Sequence, residues 1–381
     1  MNDIRELITK METINKVIVE GKGHLDHPED LVFLHDEQGA RNAIDSIIAT
    51  VQNPQAITIK WDGYPAIIFG RGSDGNFSIM DKHMFNKKDG SGRQIFSPQD
   101  FSQYDSERGV NRDELHAIIN EIWNGLEKDD RAGNGYYWGD LLFSRPLVDR
   151  SGIYRFKANP NGIEYEVDVN SDVGKLLTNK RAGIAVHQFI PADAVSTDQA
   201  VSLDGTIGNL QNASDIAILP CKMPITPQLK LNENLKKIAE DALLKYGNQV
   251  KELMTNAPQS QKTFSQLFTV FVNKKIVSGS LTNLARDFMD FVEAKNMSPK
   301  MKAKIAEYLN QHKQDIIGAF KIWAALYNLK MDIVNQLNNA AQNSPIRGYL
   351  ANGKQSQEGF VSHGLKFVDR LGFSRQNLQG K

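Results

Sequence analysis

The spacing of apolar positions changes period three times along this 381-residue chain. Residues 1–20 carry Ile4, Leu7, Ile8, Met11, Ile14 and Val17, and residues 38–52 carry Ala40, Ala43, Ile44, Ile47, Ile48 and Val51. Both sets fall on one face of a 3.6-residue period and predict amphipathic helices. The period then drops to two. β-Branched runs on either side of Asp62-Gly63 predict a hairpin that delivers Lys60 into its turn. Strands are expected at 76–80, at the aromatic stretch 135–143, and at 153–157, 162–169 and 183–190, with a helix at 112–127 on Leu115, Ile118, Ile119, Ile122, Trp123 and Leu126. After residues 224–227 the helical period returns and holds from about 231 to 342. Within it Ser298-Pro299 reads as an N-cap followed by proline at N1. Behind that cap Met301, Ile305, Leu309, Ile316, Phe320 and Trp323 form the apolar stripe, and Lys300, Lys302, Lys304, Lys313 and Lys321 fall on a solvated face. Strand-like sequence resumes at 358–361 and 364–370. The expected class is α+β, with mostly antiparallel strands.

Composition narrows the reading. Charged residues at 24% and hydrophobic residues at 40% are ordinary for a globular protein. No run approaches the ~18 apolar residues of a membrane helix, and the polar, acidic start does not read as a secretory signal. The expectation is a soluble, cytoplasmic chain with no membrane partner. Cys221 is the only cysteine, which excludes an intrachain disulfide and a thiolate metal cluster. The zero net charge hides an asymmetry: from residue 231 onward 21 Lys and Arg face 12 Asp and Glu, and residues 1–230 carry the opposite imbalance. Such a division suits an anionic partner for the C-terminal part, and equally attraction within one molecule.

Three patterns carry candidate chemistry. Gly70-Arg71-Gly72-Ser73-Asp74-Gly75 matches a dinucleotide fingerprint by letter but opens no helix, and it reads as a hairpin loop. His24-Leu25-Asp26-His27-Pro28-Glu29-Asp30 offers imidazoles and carboxylates at a spacing that fits no zinc pattern, so capping and hydrogen bonding are expected there. Lys60 is the third. A lysine restrained between strands and open to desolvation has what an amine needs to act as a nucleophile. The same residues also suit a surface lysine beside an ordinary turn.

Lys60-Trp61-Asp62-Gly63 resembles the nucleotidyl-acceptor motif of the covalent nucleotidyltransferases, the ATP-dependent DNA and RNA ligases and the mRNA capping enzymes. Later segments resemble that family's further motifs in order. Lys82 follows the second strand, where the RNA ligases carry a basic residue that contacts phosphate or the acceptor end. Gly139-Asp140-Leu141-Leu142 resembles the segment whose carboxylate holds the ribose hydroxyls, with Asp in place of Glu. Ile184-Ala185-Val186-His187-Gln188-Phe189 resembles the strand whose ring stacks on the purine, with His187 in place of Phe. Glu358-Gly359-Phe360-Val361 resembles the motif whose carboxylate binds the metal or positions the nucleophile. Lys366 resembles the last lysine of the final Lys-x-Lys pair; Gly364 stands in place of the first.

The resemblance implies a nucleotidyltransferase (adenylation) core, related to the ATP-grasp-like ligase fold, over 1–230 and completed by 346–381. A helical domain at 231–345 is inserted, and no C-terminal OB-fold follows. It implies an ATP-dependent polynucleotide ligase that works through a lysyl-AMP intermediate, with Mg²⁺ or Mn²⁺ as the metal. Lys60, Glu358 and Lys366 are then catalytic. Ile59, Asp62, Gly63, Lys82, Asp140, His187 and Lys366 bind the nucleotide, and Glu358 holds the metal. Pro65 stands where many DNA ligases carry Arg, which favours RNA as the partner, held by the basic helical and C-terminal part. The whole pattern resembles a ligase-like group of tailed bacteriophages, which would put the protein in the host cytoplasm. Two alternatives remain open: a weakly active binding protein of this fold, or a nucleotidyltransferase that modifies a protein or a small molecule.

Overall fold

The computed structural model describes residues 25–128, 134–159, 162–203, 215–350 and 352–372. The helix expected over 1–20, and His24, lie outside them. Among the described residues the strands in chain order are β1 (Thr58–Lys60), β2 (Ala66–Arg71), β3 (Phe77–Met80), β4 (Gly135–Phe143), β5 (Ile153–Lys157), β6 (Glu164–Asp168), β7 (Ala182–Ile190), β8 (Val201–Ser202), β9 (Ile216–Pro220), β10 (Ile346–Tyr349), β11 (Gly359–Ser362) and β12 (Leu365–Phe367). They form a six-stranded sheet in the order β3-β2-β4-β7-β8, with β9 also on β7, and two three-stranded sheets, β1-β11-β12 and β10-β6-β5. Every pairing is antiparallel except β7 with β9. The class is mixed α and β with antiparallel sheets, as the periods predict.

The hairpin expected at Asp62-Gly63 does not form. β1 pairs with β11, and β2 pairs with β3 and β4, so residues 61–65 carry the chain from one sheet to another. A two-residue hairpin of type I′ needs left-handed φ at both central residues, and neither Asp62 nor Gly63 has it. The segment is anchored elsewhere instead. The Asp62 amide donates to Tyr165 Oη at 2.7 Å, and the Asp62 carboxylate accepts from the Ile163 amide at 2.9 Å and from Asn159 Nδ2 at 3.1 Å. The Tyr64 amide donates to Leu141 O, and the Leu141 amide donates to Pro65 O. By contrast, the Gly70–Gly75 loop joins paired strands β2 and β3, as expected.

The six-stranded sheet is covered on one face by helices Pro98–Glu107 and Asp113–Glu127, whose Phe101, Ile119, Ile122 and Trp123 pack with Phe69, Ile79 and Ile184. Its other face joins a second core that runs without interruption into the helical segment. That segment comprises helices Glu233–Thr255, Gln261–Val277, Leu284–Ala294, Pro299–Gln311 and Lys313–Ala341. Ser298 caps the fourth by accepting from the Met301 amide. Lys300, Lys304, Lys313 and Lys321 are exposed as expected, and Lys302 is half-buried. Phe33, from the short helix Leu31–Leu34, stacks on Phe268 at 4.9 Å, and Phe268 stacks on Phe288 at 4.2 Å. The N-terminal helices are thus embedded in the helical segment.

Glu29 and Asp30 do not cap a helix. The expectation of capping gives way to a buried ion network across three parts of the chain. Lys330 Nζ donates to Glu29 Oε1 at 2.8 Å and to Val368 O at 3.0 Å. Arg370 Nη1 lies 3.0 Å from both Glu29 Oε1 and Asp30 Oδ1, and Trp323 Nε1 donates to Asp30 Oδ1 at 2.9 Å. Burial opposes ionisation of Glu29, yet Lys330 and Arg370 hold its carboxyl below the usual range. No helix among the described residues is long and apolar enough to cross a membrane.

Candidate active site

β1 lies where the small sheet meets the large one. The Ile59 amide donates to Cys221 O, just past β9, so the end of β9 continues onto β1. A cavity of about 360 Å³ opens at this junction. Lys60 and Ile59 line it from β1, Lys366 from β12, Asp140 and Trp138 from β4, and His187 and Gln188 from β7. Trp61, Thr58, Ala185 and Cys221 add to the walls, and Ser202 and Leu203 lie at the β8 end.

The charged groups are arranged in two sets. Lys60 Nζ donates to Glu358 Oε1, while Glu358 Oε2 is buried without a hydrogen-bond partner among the described residues. Burial pushes the Glu358 carboxyl up to about 6 against the pull of Lys60, with Asp62 and Asp140 adding to the rise. Lys366 sits opposite Val361 on the neighbouring strand, and its amide donates to Asp26 O at 2.9 Å. Burial first, and the Lys60 charge second, lower the pKa of Lys366 below that of an ordinary lysine. In the other set, His187 Nε2 lies 3.4 Å from Asp140 Oδ2, and the His187 ring is tilted 50° against Trp138 with centroids 5.8 Å apart.

Of the residues picked out by sequence, Lys60, Ile59, Asp140, His187 and Lys366 line the cavity, and Glu358 reaches it through Lys60. Asp62 does not face it. Both of its carboxylate oxygens are spent on Ile163 and Asn159, which makes it the anchor of the 61–65 crossing. Gly162 is required beside it, because a Cβ there would lie 1.6 Å from Asp62 Oδ2. Gly63 serves close packing: a Cβ would stand 2.5 Å from the Asp140 Cβ. Lys82 opens the short helix Lys82–Phe85, and its Nζ lies 5.4 Å from the Trp138 ring centroid, so it reaches the cavity wall and not its interior. Gly364 has φ +70° and follows His363 at +48°, so these two residues make the type I′ turn between β11 and β12. A lysine is strained at such a position, which accounts for the glycine.

Sequence reasoning missed Trp138, Trp61, Gln188 and Cys221. Trp138 had a signal, being an aromatic residue next to Gly139-Asp140. Gln188 had none: strand alternation sets it opposite to His187. Cys221 is buried, donates to Val186 O at 3.3 Å, and has its thiol pKa pushed up by burial, so it is a wall and not a nucleophile. A larger, more open groove of about 940 Å³ lies beside Tyr64 and Pro65 but contains none of the predicted site residues. The smaller cavity is the candidate site because the reactive groups converge on it.

Residues 22–381 match the model of a family of unknown function, DUF6267, and the chain belongs to that family. No curated protein and no solved structure matches it.

Proposed function

For this member of a family of unknown function, we propose an ATP-dependent polynucleotide ligase with a covalent-nucleotidyltransferase core, acting on RNA in preference to DNA. The observation that carries the reading is the meeting of Lys60, Glu358, Lys366 and the Asp140–His187 pair at one cavity, from segments some 300 residues apart. In the first step the Lys60 amine attacks the α-phosphorus of ATP. The Nζ–P bond forms, the bond from that phosphorus to the bridging oxygen breaks, and pyrophosphate leaves. The proton released from Nζ passes to Glu358, which already accepts a hydrogen bond from that nitrogen. Lys366, across the cavity wall, offsets the charge spreading over the phosphoryl oxygens, where positioning and cation placement supply most of the rate. Asp140 serves the ribose and His187 the base.

A single carboxylate, that of Glu358, would hold a magnesium ion; no cluster of three metal-ligating side chains occurs among the described residues. Glu358 Oε2 is an orphaned carboxylate oxygen, and Mg²⁺ commonly takes one or two carboxylates and completes its shell with phosphates and water. When bound it neutralises phosphate charge. Glu358 would hold the ion through Oε2 while Oε1 keeps its hydrogen bond to Lys60. In the second step a 5′-phosphate oxygen attacks the lysyl-AMP phosphorus, the P–N bond breaks and Lys60 is freed. The groove beside Tyr64 supports a polynucleotide as that acceptor. Tyr64 is exposed, and Arg145, Arg150 and Lys157 are exposed in its lining with no carboxylate partner within 4 Å among the described residues; Asp113, Glu114 and Glu164 line the groove as well.

Incubation with α-labelled ATP and Mg²⁺ tests this. The protein should retain label through denaturation, Lys60→Ala should retain none, and Lys366→Ala should lose at least a hundredfold in rate. Nicked, 5′-phosphorylated RNA should discharge the label and be sealed. Label that never seals RNA or DNA points to modification of a protein or a small molecule. An unlabelled wild-type protein leaves a binding protein of this architecture.

A further inference from the structure

We infer that Gln188 reads the base of the bound nucleotide and selects adenine over guanine. The inference rests on the cavity being a nucleotide site, and it adds a specificity-determining residue to that reading.

Successive strand residues face opposite ways, so whatever His187 faces, Gln188 should turn from. The β4–β7 ladder breaks this rule at one place. Trp138 pairs with Gln188, but the next residue, Gly139, pairs with Val186, and His187 is left as an extra residue in a bulge. The carbonyl of His187 is held by the Leu203 amide at 3.1 Å, which fixes the bulge from the other side. As a result His187 and Gln188 both line the cavity.

Gln188 is 8% exposed, yet its side-chain amide makes no hydrogen bond to any described residue. The stem is covered, but the amide nitrogen and oxygen are not sealed off and stay open to a ligand. Here the open direction is the cavity itself, between Trp138 and the edge strand β8, whose Ser202 is the cross-strand neighbour of Gln188. Two neighbouring polar side chains are committed elsewhere. His187 faces Asp140, and the Thr58 hydroxyl donates to Val361 O at 3.3 Å. The amide offers one acceptor and one donor side by side. That pair complements the 6-amino group and N7 of adenine, the same geometry by which glutamine recognises adenine in a DNA groove. Guanine presents two acceptors on that edge, so one would oppose the Gln188 oxygen.

The test compares ATP, GTP and purine riboside 5′-triphosphate, which lacks the 6-amino group. Binding is followed in EDTA by the fluorescence of Trp61 and Trp138 and by calorimetry. Wild type should bind ATP about tenfold or more tighter than either other nucleotide. Gln188→Ala should bind all three alike, and Gln188→Glu, which keeps the acceptor and loses the donor, should fall between. Removing the amide and the amino group together should cost no more than removing either one. Equal binding of ATP and purine riboside triphosphate by wild type overturns the inference without any variant. So does an unchanged ATP-to-GTP ratio in Gln188→Ala with an unchanged melting temperature, and in both cases the nucleotide reading survives. If wild type binds none of the three, the inference falls together with the reading beneath it.

Discussion

At the scale of single residues, Glu358 is where stability and chemistry oppose each other. Its folded value of about 6 lies above the ordinary 4.5, chiefly because burial disfavours the charged form. Between those values the folded protein binds a proton that the unfolded chain does not. The resulting stabilisation is complete below pH 4.5 and is lost as pH rises through 6. We therefore predict that the stability of Glu358→Gln relative to wild type rises by about 2 kcal/mol between pH 4.5 and 7.5. Urea unfolding at the two pH values measures it, and a difference that ignores pH would contradict the assignment. The catalytic consequence has the opposite sign. In the proposed reaction only the carboxylate can take the Lys60 proton, so label formation from ATP should fall away below pH 6 even though the Glu358 contribution to stability is then at its largest.

At the scale of elements, two local geometries decide which side chains reach the cavity. The β11–β12 hairpin sets Lys366 two residues beyond a turn whose central pair, His363 and Gly364, is left-handed. Gly364→Lys would restore the Lys-x-Lys spacing and strain the turn, since a side chain in that conformation costs about 1–2 kcal/mol. We expect denaturant unfolding to register that loss, and labelling to fall because Lys366 is displaced. His363→Asn is the matching control, because asparagine suits the first central position of a type I′ turn; it should be neutral or slightly stabilising. A variant Gly364→Lys that is both stable and more active would show that the hairpin tolerates what its dihedral angles forbid. The second geometry is the bulge at His187, which turns two consecutive residues to one face.

At the scale of the whole molecule, the segments around Glu29 and Arg370 are locked to the helical segment by charge as well as by apolar packing. Glu29 and Lys330 are both fully buried, and Arg370 bridges Glu29 to Asp30. Removing one member leaves its partners charged in an apolar setting, at a cost of about 3–5 kcal/mol. Lys330→Met should lower stability by that amount in chemical unfolding. Glu29→Gln combined with Lys330→Met should recover much of the loss, because the two costs are shared. Additive losses would mean that the pair is not the unit. Because Arg370 lies four residues from Lys366, loosening this lock should also weaken nucleotide binding.

The order of periods along the chain was sufficient to predict the helices at 38–52 and 112–127, the helical stretch after 231, the Ser298 cap and the mixed class with antiparallel strands. Those follow from local propensity and from the burial of one face, which a single segment expresses by itself. The motifs around Lys60, Asp140, His187, Glu358 and Lys366 were also legible, as residue types in sequence order. Tertiary structure alone decided that β1 pairs with β11 and not with β2, that Asp62 anchors a crossing and does not face the cavity, and that Gln188 shares a face with His187. Each depends on partners some 50 to 300 residues away. Their hydrogen bonds and packing override the local preference of an Asp-Gly pair or an alternating strand, and no window of neighbouring residues contains them.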